Sequence, residues 1–181
     1  LTEAPLEVAG GGGTLVALSR DDDEAWWGMA PVVLASPDGA AWSAPAPLPV
    51  DAFQPVGLAC GAGRFVIAGT LSGWEWGTPG VMTSSDGVAW VFQTLDRAWS
   101  LDAVTFDGSR FVALDGTFVF TSPDGLTWER HQTSGGDWAS AVASDGSTLL
   151  SLGMSWLSRC GDGATWQRVE EVTKEGRLEE A

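Results

Sequence analysis

Seven residues recur four times along this chain: Ser36-Pro-Asp-Gly-Ala-Ala-Trp42, Ser84-Ser-Asp-Gly-Val-Ala-Trp90, Ser122-Pro-Asp-Gly-Leu-Thr-Trp128 and, with cysteine in first place, Cys160-Gly-Asp-Gly-Ala-Thr-Trp166. A motif S-x-D-G-x-x-W returning every few tens of residues predicts a repeat architecture, in which each unit buries its apolar faces only against its neighbours. Asp-Gly between two apolar runs rich in β-formers predicts a hairpin. Gly takes the positive φ of a tight turn, and Asp tolerates it while accepting nearby amides. The Ser two places earlier is set to bond across the turn, and the Trp four places later to cover it. Each motif is therefore expected to be structural.

The rest of the chain repeats around these corners. In the first unit, apolar runs at 6–9 and 14–19 flank a glycine turn at Gly10 to Gly13, and Pro31 to Ala35 leads into the first motif. The second unit has the same plan: Val56 to Cys60, Phe65 to Ala68, Val81 to Thr83, the motif, and a run from Trp90 to Thr94. The third and fourth are tighter, with first turns Asp107-Gly-Ser-Arg110 and Asp145-Gly-Ser-Thr148. The offset from Asp107 to Asp145 equals that from Asp124 to Asp162. Four strands per unit and four units predict an all-β fold, a β-propeller of four four-stranded antiparallel blades, able to stand alone or to form part of a larger ring. The expected blades are about 3–47, 53–95, 99–133 and 137–171 of a single domain over 1–171, followed by a charged tail, 172–181, read as a frayed helical turn or disordered.

Composition narrows the partners. With 181 residues, 44% of them hydrophobic, the chain can bury a core without disulfide or metal. Its formal charge of −15 argues against nucleic acid or an anionic membrane, which require clustered Lys and Arg. No apolar run reaches the length of a membrane span, and LTEAPLEVAG carries no signal-like core. The start at Leu1 suggests a processed or trimmed chain and leaves the compartment open, with an extracellular or particle surface favoured over the cytoplasm. Cys60 and Cys160 are expected to be a buried thiol and a Ser substitute rather than a disulfide.

The motif, with Arg64-Phe-Val-Ile-Ala-Gly69 before its second copy and Arg110-Phe-Val-Ala-Leu114 before its third, resembles the Asp-box (BNR) repeats of sialidase-type propellers. The likeness covers residues 6 to 171. It implies the propeller fold, although the sialidase box has one more residue between Asp and Trp and those rings usually count about six blades. A sialidase also needs a Tyr nucleophile, with a Glu partner, an Asp acid/base and three arginines on the substrate carboxylate. This chain has no Tyr, and its only His, His131, falls on an outer strand where a solvated side chain is expected. The reading is a non-enzyme without cofactor, with glycoside hydrolysis as the remote alternative.

Two non-enzymatic classes remain: a binding module for a saccharide or protein partner, and an architectural part of a larger assembly such as a virion or cell-surface structure, including a homo-oligomer. In an up-and-down blade the first and third turns lie at one end and the second turn and inter-blade connection at the other. The two long loops, Asp21 to Met29 and Leu71 to Pro79, are therefore expected on one face, remote from the motifs. They gather Asp21, Asp22, Asp23, Glu24, Trp26, Trp27, Trp74, Glu75 and Trp76 as ligand- or partner-binding candidates. Flat aromatic surface beside acceptors suits a sugar or a basic peptide, and the run Asp21, Asp22, Asp23, Glu24 is a weak Ca²⁺ candidate.

Overall fold

The computed structural model describes residues 5–20, 31–72, 77–116, 118–132, 139–153, 156–162, 165–172 and 178–180. These residues are built from strands and turns, in four antiparallel sheets of consecutive strands. The first blade holds β1 (Pro5–Gly11), β2 (Thr14–Arg20), β3 (Pro31–Ser36) and a short β4 (Ala46–Pro47). The second holds β5 (Phe53–Gly61), β6 (Arg64–Leu71), β7 (Thr78–Ser84) and β8 (Val91–Thr94). The third holds β9 (Ala103–Phe106), β10 (Phe111–Asp115), β11 (Phe118–Ser122) and β12 (Glu129–Gln132). The fourth holds β13 (Ala139–Ser144), β14 (Leu149–Gly153), β15 (Trp156–Cys160) and β16 (Gln167–Val172), and gains a fifth strand, β17 (Leu178–Glu180), from the tail. The expected frayed helix or disorder is corrected here. Residues of the tail add to the sheet edge, with Val172 opposite Leu178.

The strand after each motif also begins later than expected. Trp42, Trp90 and Trp128 sit before the outer strand, which opens at Ala46, Val91 and Glu129. The cause is the indole hydrogen bond described below, which keeps the Trp in the corner. Proline removes ladder donors, and β4, hemmed by Pro45, Pro47 and Pro49, is two residues long.

Successive blades stack face to face around the first strand of each. β1 packs beside β5, β5 beside β9 and β9 beside β13, which makes these the inner strands, and no comparable packing joins β13 back to β1 among the described residues. The four blades therefore form an open arc. Call the face of a blade toward its predecessor leading and the other trailing. The trailing side chains Val16, Leu18 and Val33 of blade one pack on Phe53, Phe65, Ile67, Met82 and Trp90 of blade two. Val66, Ala68 and Val81 meet Val104, Phe111, Ala113 and Phe120 of blade three. Val112, Leu114 and Val119 meet Ala139, Leu149, Cys160 and Trp166 of blade four. Middle strands buried on both faces read as unbroken apolar runs, as in β6, where Phe65, Val66, Ile67 and Ala68 are all buried. A fully buried Val, Ile or Phe contributes about 1.5–3 kcal/mol, so the inter-blade seams carry much of the stability of the fold.

Candidate functional site

The motif forms the same corner in the first three blades. Ser36 Oγ accepts from Gly39 N at 2.8 Å and donates to Asp38 Oδ1 at 3.2 Å, while that oxygen accepts from Ala40 N and Ala41 N at 2.9 Å each. Asp86 Oδ1 takes Val88 N at 2.8 Å and Ala89 N at 2.9 Å, and Asp124 Oδ1 takes Leu126 N and Thr127 N, both at 2.8 Å. The indole Nε1 of Trp42, Trp90 and Trp128 donates to the carbonyl of Gly39, Gly87 and Gly125 at 3.1, 3.3 and 3.2 Å. Amide donors hold the aspartates below the usual carboxylate range: Ala41 and Ala40 for Asp38, Val88 and Ala89 for Asp86, Thr127 and Leu126 for Asp124. In the fourth blade Cys160 Sγ takes the serine's place, 3.1 Å from Asp162 Oδ1, which accepts Thr165 N. Cys160 is buried, Cys60 is half-buried, and neither is joined in a disulfide.

The corners also fasten blade to blade. Arg64, opening β6, donates through Nε to the Asp124 carbonyl at 3.0 Å, and Arg110 Nη1 donates to the Asp162 carbonyl one blade on. Asp107 aims Arg110 through a 3.0 Å ion pair while accepting Ser109 N and Arg110 N. The corner glycine of blade two, Gly87, sits at φ +78, and a Cβ there would come 2.5 Å from Val16 Cγ2. Gly is required twice over, by the turn and by the approach of the preceding blade. These hydrogen bonds lie within each corner or join it to the neighbouring blade.

The opposite end is where the structure leaves an aromatic side chain free. Trp99, in the connection from blade two to blade three, is 74% exposed. Its backbone N–H and that of Ser100 donate to the Asp115 carboxylate at 2.9 and 3.3 Å, and Asp115 is itself buried at the end of β10. Gly116, next in that turn, donates to Asp102 Oδ2 at 3.0 Å and accepts from Ala139 N at 3.0 Å. One turn thus braces the connections on both sides of blade three. Of the three left-handed non-glycine residues among the described residues, the same end holds Ala52 at φ 58 and Arg97 at φ 67, each storing about 1–3 kcal/mol of backbone strain. Trp99 escaped the sequence reading, which placed every site candidate in the longest loops. The available signal was a Trp outside the repeated motif, in Asp96-Arg-Ala-Trp99.

The candidates Asp21, Asp22, Asp23, Glu24, Trp26, Trp27, Trp74, Glu75 and Trp76 lie outside the described residues. The strand ends flanking them pair as Arg20 with Pro31 and Leu71 with Thr78, at the end of adjacent blades remote from the corners. Among the described residues no group of three or more His, Cys, Asp and Glu is arranged to hold a metal. His131 is on the outer strand as expected, yet is half-buried rather than solvated, with Nε2 3.0 Å from Thr121 Oγ1 across the ladder.

No protein-family profile and no curated protein matches the chain. Solved structures do. YCF48 bound to D1 peptide aligns over 98% of this chain and 60% of its own, with TM-score 0.66 and 15% identity. A nidogen/laminin complex aligns over 97% and 66%, with TM-score 0.63 and 16% identity. Trypanosoma rangeli sialidase in complex with sialic acid aligns over 89% and 36%, with TM-score 0.56 and 13% identity. This chain spans 60%, 66% and 36% of these three chains' own lengths, and what the likeness establishes is its fold, an all-β propeller of four four-stranded blades.

Proposed function

We propose that this chain is a non-enzymatic binding module whose loop end, remote from the corners, contacts a peptide or protein partner. The observation that carries the reading is Trp99: a large aromatic side chain exposed on a connection whose backbone is pinned to the buried Asp115. A connection whose backbone is fixed before binding loses little backbone freedom on contact, and an exposed Trp on it is the residue type of an interface anchor. Support by analogy comes from YCF48 bound to D1 peptide and from the nidogen/laminin complex. Within this reading the four corners are Asp-box repeats kept for architecture, and the charge of −15 favours a basic partner segment. The absence of any Tyr removes the nucleophile on which a sialidase depends.

The test is selection from a displayed random-peptide library on the immobilised chain, with a glycan array in parallel. Peptides enriched in Lys and Arg that bind the parent and lose at least about tenfold affinity to Trp99→Ala support the module. Equal retention by Trp99→Ala, or binding to glycans alone, overturns it.

A further inference from the structure

The trailing face of blade four is built like the other trailing faces and is uncovered. In register, Leu150 and Leu152 of β14 occupy the places of Val112 and Leu114 in β10 and of Val66 and Ala68 in β6, as the pairings with the neighbouring strands require. Those four side chains are 0% exposed because the next blade lies on them, whereas Leu150 and Leu152 are 42% and 44% exposed. Leu157 matches Val119 and Val81 in the same way. Together with Ala141 and Ala143 these leucines line an apolar groove.

A second concavity sits where the corner of a following blade would rest. In the existing seams that corner rests on the residue opening the second strand: Gly125 lies against Arg64 and Val66, and Gly87 against Thr14 and Val16. The corresponding residues of blade four are Thr148 and Leu150. A cleft of roughly 470 Å³ lies at this place, lined by Thr148, Arg159, Asp162 and Gln167 among others. Groove and cleft thus reproduce, in order, the seat for a sheet face and the seat for its corner.

The other end of the arc is different. On the leading face of blade one Ala17, Val32 and Leu34 are only 4%, 4% and 2% exposed. A second copy closing head to tail would have to offer that face, which is already buried, and two chains of charge −15 repel. The chains of YCF48 and of the nidogen/laminin complex extend beyond their aligned parts, 60% and 66% of each being covered. We propose that the trailing face of blade four is a docking surface for one further corner-bearing blade, presented leading face first by a polypeptide segment outside residues 1–181. The partner's chemistry follows from the three seams present: a four-stranded sheet whose leading face carries bulky apolar side chains on its second and third strands, with a tight Asp-Gly corner opposite Thr148.

The experiment supplies such a blade. Residues 133–172 are duplicated and inserted between Val172 and Thr173, because blade four has the leading face that already fits Val112, Leu114 and Val119. The five-blade chain is expected to melt several degrees higher than the parent in a single transition, and the amides of β13 and β14 to exchange at least about tenfold more slowly. The pair Leu150→Lys and Leu152→Lys, made in the first copy of blade four, should abolish both gains. The same pair in the parent chain should leave its melting temperature unchanged, since these side chains stand in solvent there. An inserted blade that gives no protection, or a gain that survives the lysines, overturns the proposal. So does a parent chain that runs as a dimer in native mass spectrometry and is split by the lysine pair, since a second copy would then be the occupant.

Discussion

The two ends of the arc are built by opposite rules. At the corner end the motif's Ser Oγ, Asp Oδ1 and Trp Nε1 bond within their own motif in each of the first three blades, and the corners of blades three and four accept an arginine from the preceding blade. At the loop end, among the described residues, Ala52 and Arg97 are left-handed without glycine, as Ala62 is at the corner end, and Trp99 is 74% exposed. Repetition thus marks the corner end, and departure from it marks the end where Trp99 is exposed. The box tryptophans and Trp99 are the same amino acid under the two rules. Trp90 and Trp166 are 8% and 3% exposed, against 74% for Trp99.

That contrast is broken most directly at Trp90. Trp90→Ala should cost about 3–5 kcal/mol in denaturant unfolding, because it empties the seam between blades one and two. Gly87→Ala is expected to cost roughly 2–4 kcal/mol, combining left-handed strain with the contact on Val16. Asp124→Ala removes the acceptor of two amides and should cost about 1–2 kcal/mol. Trp99→Ala, by contrast, should shift stability by less than about 0.5 kcal/mol while changing binding. A Trp99 variant as unstable as the Trp90 one would erase the distinction between the ends.

The smallest effect sharpens the comparison through pH. Folded Asp86 and Asp124 titrate below the ordinary 3.8, held down by backbone amides. For Asp107 burial alone would raise the value, yet the donors of Ser109 and Arg110 and the Arg110 charge outweigh it and leave the carboxyl lowered. Stabilisation from these groups is complete above 3.8 and is lost as pH falls through their folded values. Glu7, on inner strand β1, moves the other way: burial raises it above the ordinary 4.5, and the 2.6 Å bond from Leu58 N only partly offsets this. Its charge therefore costs stability at neutral pH, and the cost is relieved as pH falls through its raised folded value. Unfolding midpoints measured from pH 7 to pH 2 should drop below about pH 4, less steeply in Asp86→Asn, while Glu7→Gln gains at pH 7 and loses that gain in acid.

Much of the fold was legible because its determinants are local. Asp-Gly needs only its own backbone to turn, and a Ser two places before the Asp reaches the same amides in every copy, so the corners, the strand order and the four blades follow from spacing alone. The tail was misread because β17 exists only through pairing with β16, and a charged run carries no mark of the edge it will join. The half-burial of His131 has the same origin: register sets it opposite Val119, and its ring reaches diagonally to Thr121, two residues along the neighbouring strand. Trp99 resembles any other tryptophan in the chain, and the carboxylate that fixes its backbone belongs to Asp115, sixteen residues on. What the sequence by itself determined, then, was each corner and the repeat it punctuates, since those bonds close within a few residues. What only the tertiary structure decided was which faces find a neighbour, leaving Leu150 and Leu152 open where Val112 and Leu114 are covered, because burial belongs to the stacking of blades and not to the apolar pattern that they share.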